Sequence, residues 1–273
     1  MLPIKQILKN AVQQLSTCGY TTTPTLDAEV LLAHKLTKSR EYLIGHADEM
    51  VDQNIINDVL QRRLNGEPIA YIIGTKEFWG MDFKVTKDTL IPRPETELII
   101  EKSLELFPKN SEIDILDLGT GTGCILIALL SEFESAKGLG VDLSYDALEV
   151  AKQNARGRAE FMHSDWFNNI GDRKFDLIVS NPPYISRAET LIKSVEKFEP
   201  HSALFAENHG YECYETIAKN LKKHLKPNGR AIFEFGQGQA TIISKIFSSN
   251  GFVVNEICKD LAGIERCIIT SAI

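Results

Sequence analysis

The sequence lacks the features expected of a membrane, secreted or nucleic-acid-packaging protein. No apolar run approaches the roughly 20 residues that cross a bilayer, and the first residues lack the apolar stretch of a signal peptide. Basic residues are not in excess, since 30 Lys and Arg stand against 37 Asp and Glu for a net charge of −7. Duplex nucleic acid requires a basic surface, so we expect no stable nucleic-acid partner. The lack of a long apolar run likewise predicts no association with a membrane.

Paired cysteines are also missing. The cysteines are odd in number, widely spaced and without a C-x-x-C pair: Cys18, Cys124, Cys213, Cys258 and Cys267. This spacing suggests neither a disulfide framework nor a zinc site. Reduced thiols and the absence of a signal sequence predict a cytoplasmic protein without a metal centre.

The hydrophobic pattern divides the 273 residues into three parts. Apolar residues recur at helical spacing in 4–15, 26–36 and 56–64, which predicts a small helical bundle over 1–75. Between 76 and 95 the period shortens, as expected for a β-hairpin linker. From 96 to 273 strand and helix patterns alternate, so we predict an α/β domain with a mostly parallel sheet. Its last two strands lie too close for a crossover helix, so the last strand should be antiparallel.

A glycine-rich turn follows the first strand of this domain. Gly119-Thr120-Gly121-Thr122-Gly123 opens a helix, and glycines there let the backbone approach a ligand closely. Asp142 ends the next strand, where an acid accepts hydrogen bonds from ribose hydroxyls. The G-x-G-x-G spacing differs from the dinucleotide fingerprint G-x-G-x-x-G. The pattern therefore favours a ribose-bearing ligand such as S-adenosylmethionine over a nicotinamide cofactor.

Two further segments follow strands of the same sheet. Asp165 and Trp166 come after the third strand and either border an adenine ring or form a turn with a core tryptophan. Asn181-Pro182-Pro183-Tyr184 ends the apolar run 175–180, at the sheet edge where ligands bind. The prolines leave carbonyl oxygens unpaired, Asn181 adds an acceptor and Tyr184 a flat face. This segment suits a planar group that carries an NH2.

Taken together, these motifs resemble the release-factor glutamine methyltransferase family (PrmC/HemK). The resemblance covers nearly the whole chain and also includes Gly66–Tyr71, Glu77–Trp79, Leu90–Glu97, Glu199-Pro200, Phe233–Gly236 and Gln239. The family continues with glycines after Leu204, whereas this chain has Phe205-Ala-Glu-Asn-His-Gly210. This departure leaves the conformation of that loop open.

The resemblance implies a Rossmann-like S-adenosylmethionine-dependent methyltransferase that modifies class 1 peptide-chain release factors. The donor would lie against Gly119–Gly123, Asp142, Trp166 and Asn181. The substrate would be the glutamine of a Gly-Gly-Gln motif, held by Asn181–Tyr184. We expect Asn181 Oδ1 and the Pro182 carbonyl to fix the amide nitrogen and Tyr184 to cover it.

Other functions remain open from the sequence alone. An adenine-N6 methyltransferase of DNA or RNA would present the same Asn181–Tyr184 segment to a flipped base. A partner-binding protein with an inactive methyltransferase fold and a dehydrogenase are further alternatives, although the Asn-Pro-Pro-Tyr segment has no task in a dehydrogenase. Arg93 could approach the donor's carboxylate or form an interdomain ion pair with a nearby acid.

Overall fold

The chain forms two compact units in a computed structural model that describes all 273 residues. Unit 1 comprises Met1–Thr75 together with Leu191–Phe198. Unit 2 comprises Lys76–Thr190 and Glu199–Ile273. The segment Leu191–Phe198 was not expected to join unit 1, because its sequence position lies deep within the second half of the chain.

Unit 1 is a helical bundle, as the sequence predicts. Elements are numbered along the chain, and those of unit 1 are α1 (Ile4–Leu15), α2 (Pro24–Leu36), α3 (Arg40–Gly45), α4 (Asn57–Leu64), α5 (Ile69–Ile73), α9 (Lys193–Phe198) and the antiparallel pair β1 (Leu2–Pro3) and β2 (Met50–Val51). The predicted stripes correspond to α1, α2 and α4. The helices α3 and α5 are too short to show a period and were not predicted.

The bundle surrounds one apolar cluster that contains Ile4, Leu31 and Leu60. A buried ion pair crosses it, in which Arg63 Nε donates to Asp27 Oδ2 at 2.7 Å. Arg63 also donates to the main-chain oxygen of Tyr20. These bonds satisfy charges that would otherwise be costly to bury.

Unit 2 is an α/β structure that follows the predicted alternation of strands and helices. Its helices are α6 (Glu97–Leu106), preceded by a 3-10 turn (Pro94–Thr96), α7 (Cys124–Glu132), α8 (Tyr145–Ala155), α10 (His201–Leu204), α11 (Glu207–Gly210), α12 (Glu212–His224) and α13 (Ala240–Ser249). Its main sheet contains β5 (Asp114–Leu118), β6 (Lys137–Asp142), β7 (Glu160–His163), β8 (Phe175–Ser180), β11 (Leu225–Glu234), β12 (Phe252–Lys259) and β13 (Glu265–Ala272).

Two small strand pairs accompany the main sheet. The first, β3 (Thr75–Phe78) with β4 (Met81–Lys84), is the predicted hairpin, and it ends earlier than the pattern suggested. The backbone from 85 to 93 is irregular rather than a strand. The second pair, β9 (Ile185–Ser186) with β10 (Phe205–Ala206), is parallel and was not predicted.

The main sheet has the order β12-β13-β11-β8-β5-β6-β7. All neighbours pair in parallel except β13, which is antiparallel to both β11 and β12. This confirms the predicted Rossmann-like sheet with an antiparallel last strand. Because β8 lies between β5 and β11, the chain segments that leave these three strands emerge side by side.

Both faces of the sheet are covered by helices. Alternate strand residues such as Ile115 and Val179 belong to one apolar cluster with α6 and α7, and their neighbours Leu116 and Ile178 belong to another with α12 and α13. Burial on both faces explains the continuous apolar runs of these strands. None of the helices combines the length and apolar character needed to span a membrane.

Candidate active site

A cavity of about 540 Å³ opens in unit 2 beyond the carboxyl ends of the parallel strands. Its size is within the range of small-molecule sites. Nine of the residues predicted for the site line it: Gly119, Thr120, Gly121, Thr122, Asp142, Asp165, Trp166, Asn181 and Pro183. Three others, Gly123, Pro182 and Tyr184, do not line the cavity.

The glycine-rich turn forms one side of the cavity. Gly121 has φ +54°, and no atom lies within 4 Å of the position a Cβ would occupy, so its backbone faces open space. Gly123 has a different role, because its Cβ would meet Ala151 of α8 at 3.3 Å. Gly123 therefore permits two helices to pack closely, and its predicted contact with the donor stays a prediction.

Asp142 is tied to the same turn. Its Oδ2 accepts from the main-chain nitrogen of Gly121 at 2.8 Å, and its Oδ1 accepts from that of Ser144 at 2.9 Å. Burial raises the pKa of Asp142 against the opposing effect of these hydrogen bonds. Each carboxylate oxygen keeps a further lone pair, so the side chain can also accept from two ribose hydroxyls.

Asp117 lies beneath the turn and is fully buried. Its Oδ2 accepts from Thr120 Oγ1 at 2.6 Å, and its Oδ1 has no hydrogen-bond partner. Burial raises the pKa of Asp117 to about 7. This carboxyl fixes the side chain of Thr120 and so holds the turn from below.

Trp166 follows β7 and borders the glycine-rich turn. Its backbone is left-handed with φ +48°, and Ser164 Oγ donates to its carbonyl oxygen at 2.8 Å. A Cβ on Gly119 would lie 3.8 Å from Trp166 Cζ3. The indole also packs against the α12 and α13 core cluster. Trp166 is thus both a wall of the cavity and a packed aromatic residue, and its predicted contact with an adenine ring stays a prediction.

The amide of Asn181 has a defined orientation at the end of β8. Its Nδ2 donates to Oγ1 of Thr96 at 3.2 Å. Oδ1 has no protein partner and remains able to accept from a ligand, because Asn181 lines the cavity. Pro182, which follows, is buried and has no N–H of its own. Oδ1 of Asn181 therefore points away from Thr96, and its predicted role as an acceptor for a substrate amide stays a prediction.

Tyr184 is held by contacts within the protein and does not line the cavity. Its carbonyl oxygen accepts from Gln239 Nε2 at 2.9 Å, and its hydroxyl lies 3.5 Å from Glu234 Oε1. Burial raises the pKa of the Tyr184 phenol. The side chain packs against the core beside Asn181, so its predicted role as a cover over a substrate amide stays a prediction.

Gly210 packs closely against the backbone of Tyr184. A Cβ at Gly210 would lie 2.2 Å from the Tyr184 carbonyl oxygen. We therefore expect Gly210→Ala to displace Tyr184 and lower turnover by at least about 10-fold, an effect typical of positioning residues. Gly238→Ala is the matched control, because Gly238 also has positive φ but open space around it. Equal turnover of the two variants in a steady-state assay of the activity that the family resemblance implies would contradict the expectation.

The loop that departs from the family pattern, 205–210, keeps the left-handed backbone conformation that glycine favours. Asn208 and His209 have φ of +48° and +56°, and Gly210 follows with φ +90°. Asn and His are among the non-glycine residues that tolerate this region best. The loop can therefore bring Gly210 to Tyr184 without the usual glycines. Phe205, at its start, lines the cavity.

Arg93 also lines the cavity and pairs with Glu199. Its Nη2 donates to Glu199 Oε1 at 2.6 Å, and the main-chain nitrogen of Ile91 donates to Oε2 at 3.2 Å. Both partners of the ion pair belong to unit 2. Glu199 is thus the acid that pairs with Arg93, and the pair lies within one unit rather than between domains. Arg93 remains accessible to a ligand because it lines the cavity.

Thr96, Glu199 and Glu234 are site residues to which sequence reasoning assigned no role. All three are buried, and all three lie within motifs that carry the family resemblance. A buried acid at the end of an apolar strand, as in Phe233-Glu234-Phe235, is the signal that could have marked Glu234.

The fold and the cavity together define a Rossmann-like α/β protein with a small-molecule site at the carboxyl edge of its sheet. A methyltransferase from Pyrococcus furiosus has the same fold, with a TM-score of 0.53 at 17% identity over 78% of this chain and 98% of that one. The model of the methyltransferase small domain matches residues 97–211, and that of the PrmC N-terminal domain matches residues 6–74.

Closer relatives identify the family. The release factor glutamine methyltransferase of Aliivibrio fischeri is 39% identical over 97% of this chain and 96% of its own length. The bifunctional methyltransferase of Rickettsia typhi is 42% identical over 99% of this chain, which spans 57% of that protein. The chain belongs to the release factor glutamine methyltransferase family. The match of the N-terminal domain does not favour the nucleic-acid alternative.

Proposed function

We propose that this protein transfers a methyl group from S-adenosylmethionine to the side-chain amide nitrogen of the glutamine in the Gly-Gly-Gln motif of class 1 release factors. The observation that carries the proposal is the orientation of Asn181, whose Nδ2 is held by Thr96 while Oδ1 remains available at the cavity. We place the reaction in the cytoplasm, where translation termination occurs, and propose that it needs no metal.

The residues of the cavity fit S-adenosylmethionine. The turn Gly119–Thr122 offers an open backbone, Asp142 offers spare lone pairs to a ribose, and Asp165 and Trp166 offer a polar edge and an aromatic face. The cavity of about 540 Å³ is large enough for such a ligand. When bound, the sulfonium compound supplies an electrophilic methyl group.

The protein's task is to hold a weak nucleophile. An amide nitrogen is unreactive because its lone pair is delocalised into the carbonyl group. If Asn181 Oδ1 and the Pro182 carbonyl oxygen each accept one hydrogen of the substrate NH2, the nitrogen is fixed with its lone pair toward the donor. Positive charge that develops on nitrogen then meets two preorganised dipoles. The N-protonated product amide is strongly acidic and releases its proton to water.

Selectivity for one glutamine requires contacts beyond the amide. A single side chain offers little surface, and glutamine is common in proteins. We propose that 1–75 docks the release factor, that 76–95 is a linker and that 96–273 carries out methyl transfer. The match of the PrmC N-terminal domain to residues 6–74 supports a dedicated role for this part.

The proposal is tested by offering labelled S-adenosylmethionine with release factor, duplex DNA or RNA in parallel. We expect label only in the release factor, with loss of label when its Gly-Gly-Gln glutamine is replaced by alanine. Label in nucleic acid would favour the adenine alternative. Failure to bind S-adenosylmethionine in calorimetry would indicate an inactive fold.

A further inference from the structure

The buried side chain of Gln239 joins the turn after β11 to the proposed substrate-binding segment Asn181–Tyr184. Its Oε1 accepts from the main-chain nitrogen of Gly236 at 2.9 Å, and its Nε2 donates to the carbonyl oxygen of Tyr184 at 2.9 Å. A main-chain nitrogen can only donate and a carbonyl oxygen can only accept, so these two partners fix the orientation of the Gln239 amide. The last carbonyl of the segment is thus held by a side chain from another part of unit 2.

Two glycines make room for this contact. A Cβ at Gly236 would lie 3.0 Å from Tyr184 Cδ2 and 3.1 Å from Gln239 Oε1. A Cβ at Gly210 would lie 2.2 Å from the Tyr184 carbonyl oxygen and 3.0 Å from Gln239 Nε2. The turn after β11 and the loop 205–210 therefore both pack against the same carbonyl group. Close packing of this kind leaves the Tyr184 carbonyl little room to move while the hydrogen bond is intact.

The other end of the segment is fixed by the main sheet. Ser180, the last residue of β8, pairs with Leu118 on one side and with Phe233 on the other. Its Oγ donates to the Leu118 carbonyl oxygen at 2.6 Å in a fully buried position. The segment therefore begins at a rigid strand end and finishes at the carbonyl that Gln239 holds.

The two prolines make the shape of the segment depend on these fixed ends. A proline ring locks φ at about −65°, so Pro182 and Pro183 keep only ψ as a freely variable main-chain torsion. When Ser180 and the Tyr184 carbonyl are both held, few combinations of these torsions connect them. The direction of the Pro182 carbonyl then follows from the positions of the two ends. Release of the Tyr184 end would let the Pro182 carbonyl turn.

We propose that Gln239 is a positioning residue for methyl transfer, which holds the Tyr184 carbonyl and so fixes the direction in which the Pro182 carbonyl oxygen meets the substrate NH2. This inference rests on the proposed function. Gln239 does not line the cavity, so it acts through the segment and not by contact with the donor or the substrate. Loss of its side-chain amide should therefore affect the chemical step and leave donor binding intact.

The first test compares Gln239→Met with the wild type. Methionine has a similar length to glutamine but removes both hydrogen bonds. We expect kcat with saturating release factor to fall by about 10- to 100-fold, a range typical of residues that orient a functional group, with little change in the Kd of S-adenosylmethionine. Gln237→Met is the matched control, because Gln237 lies in the same turn but is exposed, and it should keep the wild-type kcat. The melting temperature and donor binding check that each variant is folded.

The second test, Gln239→Glu, separates the two hydrogen bonds. At about pH 9 an ionised carboxylate can still accept from Gly236 but cannot donate to the Tyr184 carbonyl. If Gln239 only supported its own turn, this variant would keep a near-normal kcat. The inference instead predicts a loss as large as that of Gln239→Met at the same pH.

The third test combines Gln239→Met with Gly210→Ala. Both substitutions release or displace the same Tyr184 carbonyl, so the double variant should be little worse than the more impaired single variant. Losses that multiply, near-normal kcat in Gln239→Met or Gln239→Glu, or equal losses of kcat and donor affinity would overturn the inference. A wild type that binds S-adenosylmethionine but does not methylate release factor would instead contradict the proposed function itself.

Discussion

Asn181→Ala is expected to lower turnover by about 10²–10³-fold, the loss seen when one preorganised dipole is removed from a developing charge. The substitution removes the oxygen that faces the cavity and breaks the bond to Thr96. The amide nitrogen of the substrate would then be held by the Pro182 carbonyl alone and could rotate away from the donor. Turnover is measured with saturating release factor and saturating S-adenosylmethionine.

This loss should be confined to the chemical step. Asn181 contributes one of many surfaces around the donor, so the Kd of S-adenosylmethionine should change far less than kcat. Asn250→Ala serves as a control, since Asn250 is also half-buried and donates one hydrogen bond, to the Ile246 carbonyl oxygen. Near-normal turnover of Asn181→Ala with saturating substrates would exclude the proposed role of the Oδ1 acceptor.

Asp142→Ala is expected to act on the other half of the site and weaken S-adenosylmethionine binding by on the order of 10²-fold or more. Two charge-assisted hydrogen bonds to ribose hydroxyls would be lost, each with a contribution of about 1.5–3 kcal/mol. The main-chain nitrogens of Gly121 and Ser144 would lose their acceptor as well. The glycine-rich turn should loosen in consequence.

Calorimetric titration of the donor measures this effect directly. Asp146→Ala is the matched control, because Asp146 lies four residues further along the chain and is exposed. Turnover of Asp142→Ala should recover substantially when the donor concentration is raised, unlike that of Asn181→Ala. An unchanged Kd for Asp142→Ala would remove Asp142 from the donor site.

Much of the fold could be predicted because it is encoded locally. The strand Phe175–Ser180 has the bounds of the predicted apolar run, and the helix Tyr145–Ala155 begins directly after Ser144. Local residues mark these boundaries: prolines follow the apolar run of the strand, and Ser144 caps the start of the helix. The short helices α3 and α5 and the elements between 191 and 210 lack such signals, because their positions depend on packing.

The polar network of the site could not be predicted for the same reason. Asn181 and Thr96 are 85 residues apart in sequence, and Arg93 and Glu199 are 106 apart. No local pattern specifies which distant side chain completes a hydrogen bond. Strand order brings the ends of β8 and β11 together, and only then does Glu234 become a neighbour of Asn181.

Mass spectrometry of the release factor after incubation with enzyme and S-adenosylmethionine tests the central claim most directly. The account predicts one added methyl group on the side-chain nitrogen of the glutamine in the Gly-Gly-Gln peptide, and none when Asn181→Ala replaces the wild type over the same interval. An unmodified glutamine, or a methyl group on a different residue of the release factor, would contradict it.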